Sequence, residues 1–193
     1  MDYIVERFRL TETEWAKLDE LFGDLAHYQA WQLLKKNVKN NHTHDVEDIA
    51  QELRFSIIRA GCYYKRQVYL EECLATAKLY VTDPVVLQLV TRLDKLWQER
   101  TRHGANRQRF GEHQEQLLEK VIEEHVPERM RPSKDRPLQI DNKFTTYCKA
   151  ITWNCQKSLG KKITREKSLR SGMVSLSEYD YLVSTNGVIS CNN

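Results

Sequence analysis

Two groups of side chains in this sequence have types and spacings that could do chemistry. The first lies in Asn142 to Lys162, NKFTTYCKAITWNCQKSLGKK, where Trp153 stands four residues from both Lys149 and Lys157. Positions four apart are neighbours on a helix, so the indole would lie between two ammonium groups. An aromatic face beside cations suits stacking on an unpaired base while the lysines meet phosphate. The second group is Asp48, Gln51, Glu52 and Phe55, whose i, i+3, i+4, i+7 spacing makes one helical face. That face is acidic and ends in a large apolar ring. Read from the residues alone, it is a solvated helical face carrying one aromatic.

Helices able to position both groups are readable around them. Phe144, Tyr147, Cys148, Ile151 and Cys155 fall on one side of the Trp153 helix, and Thr146, Lys149, Ala150, Trp153 and Lys157 on another. Core packing accounts for Ile151 and in part for Phe144, while Tyr147 suits either role. Gly160 predicts an end or kink, then a basic helix or arm, KKITREKSLRS, and a short helix capped by Ser175 or Ser177. The Asp48 helix opens at Asp45, a natural N-cap, with Val46, Ile49, Ala50, Leu53, Ile57 and Ala60 as its core stripe.

Upstream, Thr11 and Glu14 form a capping-box signature for a short helix through Leu21 that Gly23 ends. A second helix is predicted from Asp24 to Lys36, with Leu25, Tyr28, Trp31 and Leu33 among its apolar residues, and then a polar turn, Asn37 to His44. Tyr69 to Tyr80 is helical. Asp83-Pro84 starts another helix, with proline at its first position. A loop, His103 to Gly111, separates it from Glu112 to Val126, and the two pack as an antiparallel hairpin. Glu128 to Pro137 reads as a mobile, charged, proline-broken connector, and STNGVISCNN as a poorly ordered tail.

Composition agrees with these elements. The chain has 193 residues, 40% hydrophobic and 30% charged, with only seven glycines and four prolines. Alternating strand patterns are scarce, so the fold class is all-α, as one domain or one domain with a large insertion. A net charge of +3 does not announce nucleic acid, but Asp141 to Arg170 holds eight Lys/Arg against Asp141 and Glu166. The five cysteines include no CxxC pair and are odd in number, which predicts reduced thiols and a cytoplasmic setting. With His103, His113 and His125 they match no zinc-ligand spacing, so neither metal nor cofactor is expected. MDYIVERFRL lacks the apolar core of a signal peptide, and no run reaches membrane-spanning length. A metal-dependent nuclease finds little support, because Glu47, Asp48 and Glu52 have no second acidic or histidine cluster to complete a site.

Taken together, two stretches resemble the region-two domain of the sigma factors of bacterial RNA polymerase. One is the D-x-x-Q-E pattern, here Asp48-Ile49-Ala50-Gln51-Glu52 followed by LRFSIIRA. The other is K-F-x-T-Y, here Lys143-Phe144-Thr145-Thr146-Tyr147, continuing through Ile151 and Asn154 into basic residues. VSLSEYD is similar to the linker that follows this domain in compact alternative sigma factors. The resemblance covers Leu25 to Tyr64 and Asn142 to Ser177.

It implies a region-two-like helical bundle over 1–66 and 138–178, an inserted helical hairpin with its connector over 67–137, and a tail over 179–193. It further implies a transcription initiation factor, not an enzyme. Asp48, Gln51, Glu52 and Phe55 would dock on the coiled coil of the largest subunit of core RNA polymerase. Lys143, Phe144, Tyr147, Lys149, Trp153, Asn154, Lys157, Lys161, Lys162 and Arg165 would bind promoter DNA. Within that set Phe144 and Tyr147 would order the melted strand, Asn154 would read a −10-type element through its amide, and the cations would hold phosphate.

The chain departs from the family in three ways. The housekeeping factors' paired wedge tryptophans are Ala150 and Ile151 here; the Tyr64–Phe144 separation is unusually long; and little chain follows Ser177 for a −35-reading domain. The last point resembles the late-promoter factors of tailed bacteriophages and implies a co-activator supplying upstream contacts, in the bacterial host's cytoplasm. The first two favour an alternative, a helical nucleic-acid- or polymerase-binding regulator that does not itself direct initiation.

Overall fold

The computed structural model describes residues 3–37, 45–103 and 110–186, with side chains described over 3–35, 45–99 and 110–166. Among these the chain forms six α-helices, α1 (Tyr3–Arg7), α2 (Glu12–Asn37), α3 (Val46–Tyr80), α4 (Pro84–His103), α5 (Glu112–His125) and α6 (Asn142–Asn186), and one 3-10 turn, Glu128–Met130. No strand occurs among the described residues. The fold class is all-α. Most of the predicted turn after Asn37, most of the loop after His103, and the last residues of the tail lie outside the described residues.

The chain divides into two compact units, Met1–Glu14 with Gly61–Ile140, and Trp15–Ala60 with Asp141–Asn193. In the second unit, the Trp15–Asn37 part of α2, the Val46–Ala60 part of α3, and α6 share a core. Leu18, Phe22, Ala26, Ala30 and Leu33 of α2, Ile49, Leu53 and Ile57 of α3, and Phe144, Cys148, Thr152 and Ile163 of α6 are all buried. The Phe22 and Phe144 rings meet edge-on at 6.5 Å between centroids. In the first unit α4 packs on α5, around a core that includes Leu70, Cys73, Val90, Leu93, Trp97, Leu118 and Ile122.

Helix starts follow the capping chemistry expected. Thr11 Oγ1 accepts the Glu14 N–H at 3.2 Å, and the Glu14 carboxylate accepts the Thr11 N–H at 2.7 Å. The Val85 and Val86 N–H groups donate to Asp83 Oδ1 at 2.8 and 3.0 Å; a cap not read from the sequence, Asp141 Oδ1, starts α6 by accepting the Phe144 N–H at 2.7 Å. Helix ends differ from expectation. Gly23 does not end a helix: α2 runs through it, because the buried stripe from Leu18 to Leu33 continues unbroken. That burial outweighs the roughly 1 kcal/mol that an internal glycine costs. Gly160 does not end α6 either. A Cβ there would meet Leu33 Cδ1 at 3.1 Å, so this glycine serves the close approach of α6 to α2. The basic helix or arm and the short helix expected after Gly160 are one continuous helix to Asn186.

The connector after α5, expected to be mobile, is held at several points. Arg131 donates to the Val126 and Glu123 carbonyls at 3.0 and 2.7 Å, satisfying acceptors that a helix C-terminus leaves free. Lys134 pairs with Glu119 at 2.9 Å and lies over the Tyr69 ring. Arg136 pairs with Glu72. The four described cysteines, Cys62, Cys73, Cys148 and Cys155, are free thiols, and burial pushes Cys73 and Cys148 up to about 12.

Glu14 ties three distant parts of the first unit together. Its carboxylate accepts the Thr11 and Leu138 N–H groups and pairs with the buried Lys65 ammonium at 3.3 Å. Burial pushes its pKa up, but these hydrogen bonds and Lys65 outweigh it and hold the carboxyl below the usual range. A carboxyl whose pKa is lowered by folding adds stability above its unfolded pKa, about 4.3, and that stability is lost as the pH falls through the folded value. Glu14→Gln is therefore expected to lower thermal stability at neutral pH and to flatten its decline in acid. Melting temperatures of both proteins across the acid range check this; parallel curves would remove the assignment.

Candidate functional site

Asp48, Gln51, Glu52 and Phe55 are all exposed on α3. They line an open groove of about 280 Å³ with Ile49 of the same helix and Leu159, Lys162 and Ile163 of α6. One wall is acidic, the buried Ile49 and Ile163 lie at the base, and Lys162 stands on the far rim. A partner entering this groove meets carboxylates and a phenyl ring together, which suits an apolar side chain flanked by cations. Asp48 has a second task. The Asp48 N–H donates to Asp45 Oδ1 at 2.8 Å, and Asp48 Oδ2 accepts the Asp45 N–H at 3.4 Å, so it completes the capping box that starts α3.

The residues expected on the DNA side separate into four sets. Lys143, Lys149, Trp153, Asn154, Lys157, Lys161 and Arg165 are exposed on α6, and Trp153 is 54% exposed. Lys157 Nζ lies 5.2 Å from the Trp153 ring centroid, a cation–π contact. Tyr147 is half-buried. Phe144 is fully buried and is removed from the DNA-contacting set, since a ring packed edge-on against Phe22 offers no face to a base. Its position on the inward stripe already carried that signal. Lys162 is exposed but stands nine residues from Trp153, roughly half a turn around the helix axis. It rims the α3 groove instead of joining the Trp153 face.

A second groove, about 570 Å³, runs between α2 and α6. Trp153, Gln156, Lys157 and Gly160 line one side; Leu25, Tyr28, Gln29, Gln32 and Leu33 line the other. Tyr28 and Trp31, read as apolar residues of their helix, are 56% and 44% exposed. Their rings stack at 6.4 Å with an interplanar angle of 29°, and Lys35 Nζ sits 4.7 Å from the Trp31 centroid. Gln32 Nε2 donates to the Tyr28 hydroxyl at 2.9 Å. The groove thus sets Tyr28, itself stacked on Trp31, across from the Trp153–Lys157 pair. The sequence carried one signal for this, the lysine four residues after Trp31, which repeats the Trp153–Lys157 spacing on a different helix.

No family model, curated protein or solved structure matches this chain. Among the described residues no group of three or more His, Cys, Asp or Glu is placed to hold a metal ion, and no helix is long and apolar enough to cross a membrane.

Proposed function

We propose that this protein is a sigma-like transcription initiation factor. It is a binding protein, not an enzyme. It docks on core RNA polymerase through the Asp48–Phe55 face of α3 and uses the Trp153–Asn154 face of α6 to recognise a −10-type promoter element. One observation carries this reading: the stretches holding the D-x-x-Q-E and K-F-x-T-Y patterns are far apart in sequence, yet both belong to the unit formed by Trp15–Ala60 and Asp141–Asn193. Most of the residues between the two stretches belong to the other unit, as an insertion into a two-helix device requires. The acidic groove on α3 and the exposed cation–indole pair on α6 support separate docking and nucleic-acid faces.

A second reading has its own observation. Ala150 is exposed and Ile151 half-buried, so these positions present no aromatic wedge for a duplex edge. A regulator that binds polymerase or nucleic acid without directing initiation needs no such wedge. Capture from host lysate followed by run-off transcription with purified core polymerase separates the two. On an AT-rich −10 template, the pair Trp153→Ala and Asn154→Ala is expected to abolish promoter opening while polymerase binding is retained. Unchanged transcription would sink the −10 assignment, and polymerase binding without transcription by the wild type would favour the regulator.

A further inference from the structure

Three large apolar side chains of α2, Leu21, Tyr28 and Trp31, stand about half exposed. With Lys17, Asp24 and Lys35, also exposed, they recur at alternating intervals of four and three residues. That repeat is the seam of a coiled coil, which a second helix covers along its whole length. The seam lies on the side of α2 opposite the buried stripe from Leu18 to Leu33, so the core of this chain makes no use of it. A helix is therefore the shape of partner that this face fits.

The order of residues along the seam selects that helix. Two copies of α2 laid antiparallel, with their centre midway between Asp24 and Tyr28, set Leu21 against Trp31 of the second copy and Asp24 against its Tyr28. Each pair occurs twice, because the arrangement is two-fold and self-complementary. Leu21 and Trp31 cover apolar surface with apolar surface. The Tyr28 hydroxyl accepts Gln32 Nε2 at 2.9 Å, which leaves its own proton to donate to the facing Asp24 carboxylate, a charge-assisted bond. A parallel pair would instead set each residue against itself, Asp24 on Asp24, and like charges facing each other cost affinity. We propose that this face of α2 is a self-association surface through which two copies of the chain pair antiparallel. The seam from Lys17 to Lys35 is about 27 Å long, and the lysines of the two copies face each other at its ends. It therefore belongs with the small, weak class of specific interfaces. Pairing needs neither polymerase nor nucleic acid and stands whether or not the protein directs initiation.

Sedimentation equilibrium of the full-length protein, from about 1 to about 300 μM, covers the range of a weak pair. The mass is expected to rise from the 22.9 kDa of one chain toward twice that value. Trp31→Glu is expected to weaken association by at least about tenfold, since both Leu21–Trp31 pairs are lost, with helix content by circular dichroism retained. Lys17→Cys and Lys35→Cys keep the apolar pairs and test the register. Mixed under oxidising conditions, the two variants are expected to form a disulfide between positions 17 and 35, identified by mass spectrometry. Alone, each is expected to form none between its own new cysteines, because equivalent positions then lie roughly 27 Å apart and a disulfide needs Cα atoms within about 7 Å. A one-chain mass at every concentration would overturn the proposal and point the seam at a helix of another protein. Association that Trp31→Glu leaves unchanged would also overturn it, as would a 17–17 or 35–35 disulfide in place of the mixed one. No polymerase is present, so failure here leaves the docking reading to be decided by the lysate capture.

Discussion

Glu115→Ala is expected to destabilise the unit containing Gly61–Ile140 by about 3–5 kcal/mol, the loss that follows when one partner of a buried ion pair is removed. Glu115 is fully buried. Its carboxylate accepts Arg66 Nε at 2.7 Å, pairs with Arg7 Nη1 at 3.1 Å and accepts the Tyr3 hydroxyl at 3.4 Å. Arg66 is nearly as buried and keeps one further acceptor, the Phe110 carbonyl at 3.2 Å. Without Glu115 a guanidinium stays out of water with most of its hydrogen bonds unmet, and that desolvation dominates the loss. Arg7 loses less, because it also pairs with Glu119 and is partly exposed. The double change Glu115→Leu with Arg66→Met is expected to recover most of the stability, since apolar replacement of both partners avoids the stranded charge. Denaturant unfolding of the single and double variants checks this, and a loss under about 1 kcal/mol for Glu115→Ala would contradict the burial argument.

This cluster also marks what was legible in the sequence. Helix starts were readable because their signals are local: Thr11 with Glu14, Asp83 before Pro84, and Asp45 each act within three residues. The outer face of α6 was readable for the same reason, since Lys149, Trp153 and Lys157 define it by helical spacing alone. Long-range features were not. Glu115 looks like one more surface carboxylate until Arg7 and Arg66 meet it. Gly23 and Gly160 look like helix ends until α2 and α6 pack through them. Tyr28 and Trp31 look like ordinary apolar positions until the fold leaves both exposed, and only the tertiary groove sets Tyr28 across from Trp153. Local chemistry fixes where helices begin, and packing decides where they stop and which aromatic face stays outside.

The docking face gives the largest functional prediction. Asp48→Asn combined with Glu52→Gln is expected to reduce capture of core polymerase by at least about 100-fold. Each carboxylate would contribute a charge-assisted hydrogen bond of about 1.5–3 kcal/mol, and two such bonds exceed the roughly 2.8 kcal/mol that a 100-fold loss represents. Amides are preferable to alanine here, because Asp48 also accepts the Asp45 N–H in the capping box. Alanine would add a capping loss of about 1 kcal/mol and confuse fraying of α3 with loss of docking. Asparagine keeps an acceptor there and removes only the charge. Lys162 sharpens the experiment, because it faces the same groove with opposite sign. A basic partner is repelled by it, so Lys162→Ala should leave polymerase capture unchanged or strengthen it. If Lys162→Ala instead weakens capture as much as the double amide variant, the groove holds an acidic or mixed partner. If the double amide variant still captures polymerase undiminished while its melting temperature matches the wild type, the α3 face is not the docking surface.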